Sequence, residues 1–222
     1  MIFAAGDFDA DAVIGKARND IAVQRGDSFC IAADGGLKWI QALRIVPDLI
    51  IGDMDSITEE ALLARFDGHK RIPIKKLPVE KDDTDMLAAI KEGLAAGCDY
   101  FELYGALGGR IDHTLANIQC LLFLLNKGAY GVLYGNGQRI ELVRNSRLCF
   151  SKEMYRENRR LSVFAIGTDA RGVTERGLKY SLDNAVVTTD FPIGISNEFM
   201  DCESFVEVSD GTLLVCVEDL RE

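Results

Sequence analysis

The chemistry of this chain starts with its carboxylates. In "LIIGDMDSI", residues 49–57, three large aliphatics and a glycine lead into Asp53 and Asp55, one residue apart. Downstream, "EKDDTDM" brings Asp82, Asp83 and Asp85 together at the start of a helical pattern. Asp7, Asp34 and Asp53 each follow a short apolar run, so all three are expected at the carboxyl edge of a sheet, where open parallel sheets bind ligands. Two carboxylates about 5 Å apart repel by roughly 3 kcal/mol at an effective dielectric of 20, and a third worsens the repulsion unless a cation sits between them. Hard oxygen donors from a few carboxylates, completed by phosphate oxygens, describe a magnesium site. The plain alternatives are a turn after a strand for Asp53 and Asp55, and capping and dipole compensation of a helix for Asp82 and Asp83. Asp85, inside that helix, is less easily explained as a cap.

Two glycine-rich turns offer the complementary half. "ADGGLKW" and "YGALGGRIDHT" each join a strand-like run to a helix-like one, and such turns can point backbone amides at a phosphate. Arg110, directly after Gly108 and Gly109, and Lys81, beside the acidic cluster, are placed to meet phosphate charge or to be solvated surface cations. Neither turn matches the P-loop or the dinucleotide fingerprint. His69 and His113 are the only histidines; His69 reads as surface, and neither completes a zinc site or a Ser-His-Asp pattern.

These residues need a scaffold. "MIFAA", "FCIAAD", "DLIIGD" and "YFELYGA" read as strands, and "KRIPIKKL" as a peripheral extended segment broken by Pro73. "GGLKWIQAL", "TEEALLARF" and "DMLAAIKEGLAAG" alternate with them as helices. In "IDHTLANIQCLLFLLNKG", Ile111, Leu115, Ile118, Leu122 and Leu125 fall on one face, which the spacing predicts to be buried. Strands alternating with helices imply a mostly parallel sheet covered by helices. After about Gly135 the runs become short and β-branched ("RIELV", "RLSVFAI", "AVVTT", "SFVEVS", "TLLVCVE") and no strong helical period remains. The pattern therefore predicts an α/β N-terminal domain, residues 1–135, plus an all-β C-terminal domain, residues 136–222, built as a compact antiparallel sandwich or barrel.

With 48% hydrophobic and 27% charged residues over 222 positions, the chain has the balance of a globular protein. A net charge of −10 disfavours nucleic acid and anionic membrane and mildly favours a cationic ligand. The six cysteines form no C-x-x-C pair and are expected to be buried, reduced thiols. No secretory pattern opens the sequence and "CLLFLLNKG" is too short to span a bilayer, so a cytoplasmic location is expected.

In order, "AADGG", "PDLIIGDMDSI", "KDDTDM", "GALGGRIDHTLANI", "GLKYSL" and "ISNEF" resemble the thiamine pyrophosphokinase family over nearly the whole chain. The resemblance implies an α/β nucleotide-binding domain followed by an all-β C-terminal sandwich, in an enzyme that transfers the diphosphate of ATP to the hydroxyl of thiamine, releasing AMP. It implies Asp53, Asp55 and Asp85 as magnesium ligands, with Lys81 and Asp82 beside the transferring phosphates. Asp34, Gly35, Gly108, Gly109, Arg110 and Asp112 would line the nucleotide site. Tyr180 would be the platform for the thiamine rings, and Ser196 and Asn197 polar contacts to the aminopyrimidine. It also implies a homodimer whose subunits share the active site. Tyr180 stands where animal relatives carry Trp, and Ser181 where many bacterial relatives carry Pro. Two other classes compete: a haloacid-dehalogenase-like phosphatase with Asp53 as nucleophile, and a non-catalytic nucleotide or thiamine sensor. The D-x-D of such phosphatases normally ends the first strand, whereas Asp53 follows what reads as the third.

Overall fold

The computed structural model describes residues 1–6, 8, 28–53, 72–78 and 82–220. The chain divides into two compact units, Met1–Asn136 and Gly137–Glu222.

In the first unit the described strands are β1 (Ile2–Phe3), β2 (Ile31–Ala33), β3 (Leu49–Gly52), β4 (Ile74–Lys76), β5 (Tyr100–Tyr104) and β6 (Tyr130–Tyr134). They pair in parallel in the order β6-β5-β1-β2-β3-β4. The chain moves outward from β1 through β2, β3 and β4, then returns to the other side of β1 for β5 and β6. The strand order therefore reverses between β1 and β5, the switch point at which open sheets leave a crevice beyond their carboxyl ends. Phe3, Tyr104 and Tyr134 are register partners on adjacent strands and stack with centroids 5.0 and 5.1 Å apart. This aromatic ladder is worth about 1 kcal/mol per pair beyond simple burial. β4, with Lys75 and Lys76 exposed, closes the described edge.

Three α-helices of this unit are described: α1 (Leu37–Leu43), α2 (Asp85–Ala95) and α3 (Ile111–Asn126). The cap of α2 is Thr84, whose Oγ1 accepts from the Leu87 amide at 3.1 Å. The expected acidic cap is thus corrected: Asp83 pairs with Lys91 at 2.6 Å and Asp82 is exposed. The face of α3 is corrected as well. Asn117, Cys120, Leu121 and Leu124 are buried, whereas Ile111 and Leu115 are 72% and 57% exposed. The stretch from Ile118 to Leu125 is apolar nearly all round, so its period leaves the orientation open. Asn117 decides it, because its Nδ2 donates to the Ala106 carbonyl at 2.7 Å. Among the described residues no helix is long and apolar enough to cross a membrane.

The second unit holds β7 (Gln138–Arg144), β8 (Arg147–Phe150), β9 (Arg159–Ala165), β10 (Ala170–Arg176), β11 (Leu182–Val187), β12 (Asn197–Glu198), β13 (Ser204–Glu207) and β14 (Thr212–Asp219). All pair antiparallel, in the orders β12-β9-β14-β7 and β11-β10-β13-β8. Val143, Leu161, Val163, Leu213 and Val215 from the first set pack with Phe150, Val173, Val187 and Val206 from the second in one core. All six cysteines are free; Cys30 and Cys120 are buried as expected, but Cys149 and Cys202 are exposed.

Candidate active site

The crevice at the switch point is real space. A cleft of about 340 Å³ is lined by residues 4–6 after β1, Ala33 at the end of β2 and Asp34 after it, Thr84 and Asp85 at the head of α2, and residues 105–106 and 108–110 leading into α3. Its floor is held by backbone pairing that continues past the strands: the Ala4 amide donates to Tyr104 O at 2.8 Å and the Gly6 amide to Gly105 O at 3.0 Å. Trp39 of α1 adds a bond from Nε1 to Gly6 O at 3.1 Å. Gly36 comes so close to the Phe3 carbonyl that any Cβ would overlap it, which is how β2's exit turn packs under β1. Asp34 itself is held in the left-handed region, φ 46°. A side chain there costs about 1 kcal/mol or more, and such strain clusters where a side chain must be aimed.

The turn into α3 differs. Gly108 and Gly109 are both left-handed, φ 85° and 68°, and a Cβ on either would meet nothing within 4 Å. Conformation, not crowding, requires glycine here, and both glycines line the cleft with no side chain of their own. Arg110 forks onto Asp112 with bonds of 3.1 and 2.5 Å at the exposed helix start. That pairing raises the Arg110 pKa and lowers that of Asp112, chiefly through the shared hydrogen bond.

Asp85 and Asp34 thus face one cleft. Asp53 leaves β3 directly after Gly52, where an added Cβ would stand 3.2 Å from the Asp34 Cα. The ends of β2 and β3 therefore lie together. Asp55 and Lys81 fall outside the described residues, as do Asp7 and His69. Among the described residues no group of three or more His, Cys, Asp or Glu is gathered as a metal cluster. The cleft also takes in Thr84, His113 and Asn117, none of which was singled out as a ligand residue from sequence.

In the second unit, the segment through Leu178 lies against residues 197–199, joined by the Leu178 and Phe199 bridge. Leu178 and Phe199 are buried while Tyr180 is 60% exposed. Lys179 pairs with Glu198 at 2.9 Å and sits 5.5 Å from the Tyr180 ring centroid. Ser196 is exposed with φ 58°, its amide donating to Ser162 Oγ at 3.0 Å. Asn197 is buried, and its amide is fully used. Oδ1 accepts from the Tyr180 and Glu198 amides at 3.0 and 2.9 Å, and Nδ2 donates to Tyr180 O at 2.6 Å and to Glu175 Oε2 at 2.7 Å. Glu175 is only 1% exposed, and burial pushes its carboxyl up to about 7, with the Asn197 bond opposing the shift.

Residues 23–132 match the family model for "Thiamin pyrophosphokinase, catalytic domain", and residues 146–213 match "Thiamin pyrophosphokinase, vitamin B1 binding domain". The chain belongs to the thiamine pyrophosphokinase family. The thiamine pyrophosphokinase of Bacillus subtilis (strain 168) is 29% identical over 187 residues, 83% of this chain and 85% of that protein. The crystal structure of thiamine pyrophosphokinase from Bacillus subtilis aligns at TM-score 0.81 and 25% identity, covering 99% of this chain and 98% of that one. The thiamin pyrophosphokinase from Candida albicans, at 16% identity, aligns at TM-score 0.77 over 99% of this chain and 88% of that one, which shows the shared fold. As a thiamine pyrophosphokinase, the chain is an enzyme that transfers a diphosphate from ATP to thiamine. Neither the phosphatase nor the sensor reading finds support: Asp53 follows β3, not the opening strand.

Of the residues expected from sequence, Asp34, Asp85, Gly108, Gly109 and Arg110 line a single cleft, with Asp112 held on Arg110 and Gly35 next to Asp34. Tyr180, Ser196 and Asn197 lie close in sequence or by hydrogen bond in the second unit. Glu175, an acid inside a β-rich stretch, carried no sequence signal of its own.

Proposed function

We propose that ATP binds in the first unit's cleft with its phosphates toward the turn at Gly108 and Gly109 and the start of α3. Arg110 and Lys81 meet the phosphate charge there, and Asp34, Gly35 and Asp112 border the nucleotide. The observation that supports this reading is the convergence of Asp34, Asp85, Gly108, Gly109 and Arg110 from separate stretches on one cleft at the sheet's switch point. Open amides at a helix start are suited to phosphate oxygens.

Asp53, Asp55 and Asp85 would hold magnesium beside those phosphates, since a few carboxylates completed by phosphate oxygens are its usual donor set. When bound, it neutralises charge that spreads onto the phosphates during transfer. The chain's own part is to position the reactants. The thiamine hydroxyl oxygen forms a bond to the β-phosphorus of ATP as the bond from that phosphorus to the oxygen of the α-phosphate breaks. AMP leaves with that oxygen, and the hydroxyl proton passes to a carboxylate of the acidic group, which includes Asp82.

Thiamine is read as stacking its rings, the thiazolium being cationic, on Tyr180, an exposed aromatic face that favours a cation, with Ser196 and Asn197 on the aminopyrimidine side. A homodimer whose subunits share the site, acting in the cytoplasm, completes the proposal. The test is to incubate the purified protein with ATP, magnesium and thiamine and to quantify products. Thiamine diphosphate and AMP in equal amounts are expected, and Asp55→Ala should abolish both while the protein stays folded. ADP as the nucleotide product, or full turnover by Asp55→Ala, overturns the assignment.

A further inference from the structure

Asn197 has no hydrogen-bonding capacity left for a ligand. Backbone N–H groups only donate and a backbone carbonyl only accepts, so the bonds to Tyr180 and Glu198 fix which end of the amide is which. Both Oδ1 lone pairs and both Nδ2 hydrogens are then engaged, the last by Glu175 Oε2 at 2.7 Å. Asn197 clamps the backbone of Tyr180 from both sides, N–H and C=O, and Glu175 in turn holds the clamp. Glu175 does so from the interior. Its register partners are Leu182 on β11 and Val206 on β13, and its Oε1 is buried with no hydrogen-bond partner. An acid in that setting is costly unless it does something that an apolar residue would not.

We propose that Glu175 is a positioning residue for thiamine, fixing the Tyr180 platform through Asn197 rather than touching the substrate. The inference rests on the reading of Tyr180 as the thiamine platform. It revises the part expected of Asn197, which acts here on the protein's own backbone.

The test compares wild type, Glu175→Leu, Glu175→Gln, Tyr180→Ala and the Tyr180→Ala/Glu175→Leu double variant, measuring KM for thiamine, KM for ATP, kcat and thermal midpoint. Leu removes the acceptor that Asn197 needs, whereas Gln keeps an oxygen in place of Oε2. Glu175→Leu should raise the thiamine KM about tenfold, the size expected for one orphaned buried donor, with the ATP KM unchanged. Glu175→Gln should stay within about twofold of wild type, and the double variant should match Tyr180→Ala, because residues that act as one unit are not additive.

A wild-type thiamine KM in folded Glu175→Leu overturns the proposal, as does an equal rise in both KM values. Effects that multiply in the double variant overturn it too, since Glu175 would then act independently of Tyr180. If Glu175→Leu does not fold, Asn197→Asp, which keeps the acceptor for the two amides but loses the donor, must show the same thiamine-selective defect. A wild-type thiamine KM there is equally fatal. Tyr180→Ala with an unchanged thiamine KM sinks the platform reading itself, a result distinct from any failure of Glu175.

Discussion

The buried carboxyl of Glu175 makes stability depend on pH in a way that one substitution isolates. Its ordinary value of 4.5 is pushed to about 7, chiefly by burial, with the Asn197 hydrogen bond pulling the other way. Nearby charged side chains are occupied with one another: Arg176 on the same strand with Asp183 on β11, Arg147 on β8 with Glu207 on β13, and Lys179 with Glu198. Because the folded value lies above the unfolded one, the folded state holds the extra proton between the two values. The neutral acid's contribution is therefore complete below about pH 4.5, is lost as pH rises toward 7, and changes no further above it. At 1.36 kcal/mol per pKa unit, the whole span amounts to about 3 kcal/mol, a large share of a domain's stability.

Glu175→Gln keeps the shape and the acceptor but cannot ionise. Urea denaturation of both proteins at fixed ionic strength, from pH 5 to 8.5, gives the difference directly, since other titrating groups cancel. Wild type should lose about 2–3 kcal/mol relative to the variant across that range, through a lower urea midpoint at unchanged slope. A difference that stays flat with pH, or that grows in favour of wild type as pH rises, refutes the claim that Glu175 is neutral in the folded protein below its midpoint.

Three more outcomes follow from the described geometry. Arg110→Ala should raise the ATP KM at least about tenfold, as expected for a lost charge-assisted phosphate contact, while the thermal midpoint holds because the Arg110–Asp112 pair is exposed. An unchanged ATP KM would place Arg110 outside the nucleotide site. Asn117→Leu should cost about 1–3 kcal/mol in urea denaturation and weaken ATP binding, since it orphans the Ala106 carbonyl that borders the cleft. A thiol reagent near neutral pH should label Cys149 and Cys202 within the native protein, whereas Cys30 and Cys120 resist; burial raises these two to about 12 and about 11. Rapid labelling of Cys30 ahead of Cys149, read by peptide mass, would contradict the burial.

The acidic and glycine-rich groups are legible because strand ends and turns leave a local trace. Asp34 and Asp53 close uninterrupted apolar runs, which become β2 and β3 with every residue but the exit carboxylates buried. Gly97 and Gly128, both left-handed, follow the last turns of α2 and α3, as glycine does after many helices. Strand β6 leaves a fainter trace. Its Gly131 weakens the run, and a Cβ there would stand 2.6 Å from a Leu124 methyl, so any larger residue would have to push that side chain of α3 aside. The face of α3 is lost for a related reason: the residue that orients the helix is polar Asn117, drawn inward by a carbonyl eleven positions earlier.

Glu175 marks where pattern reading stops. On β10 the inward positions are Ala170, Val173 and Glu175; a register shift at left-handed Gly172 breaks the alternation once, and a second shift, between Val173 and Glu175, takes its extra residue on β11. A strand whose core face carries an acid and whose period slips does not read as a strand at all. Tyr180 and Asn197 are legible as a resemblance, because a family's motif names residues, but a motif does not say which partner a side chain spends its hydrogen bonds on. Asn197 spends all of them within the protein. A residue can therefore hold its motif position and still serve the substrate at one remove, and the buried acid behind it then becomes part of the binding apparatus. Whether thiamine selectivity follows the acid or only the aromatic face is a question about coupling, which is why the double variant carries more weight than either single one.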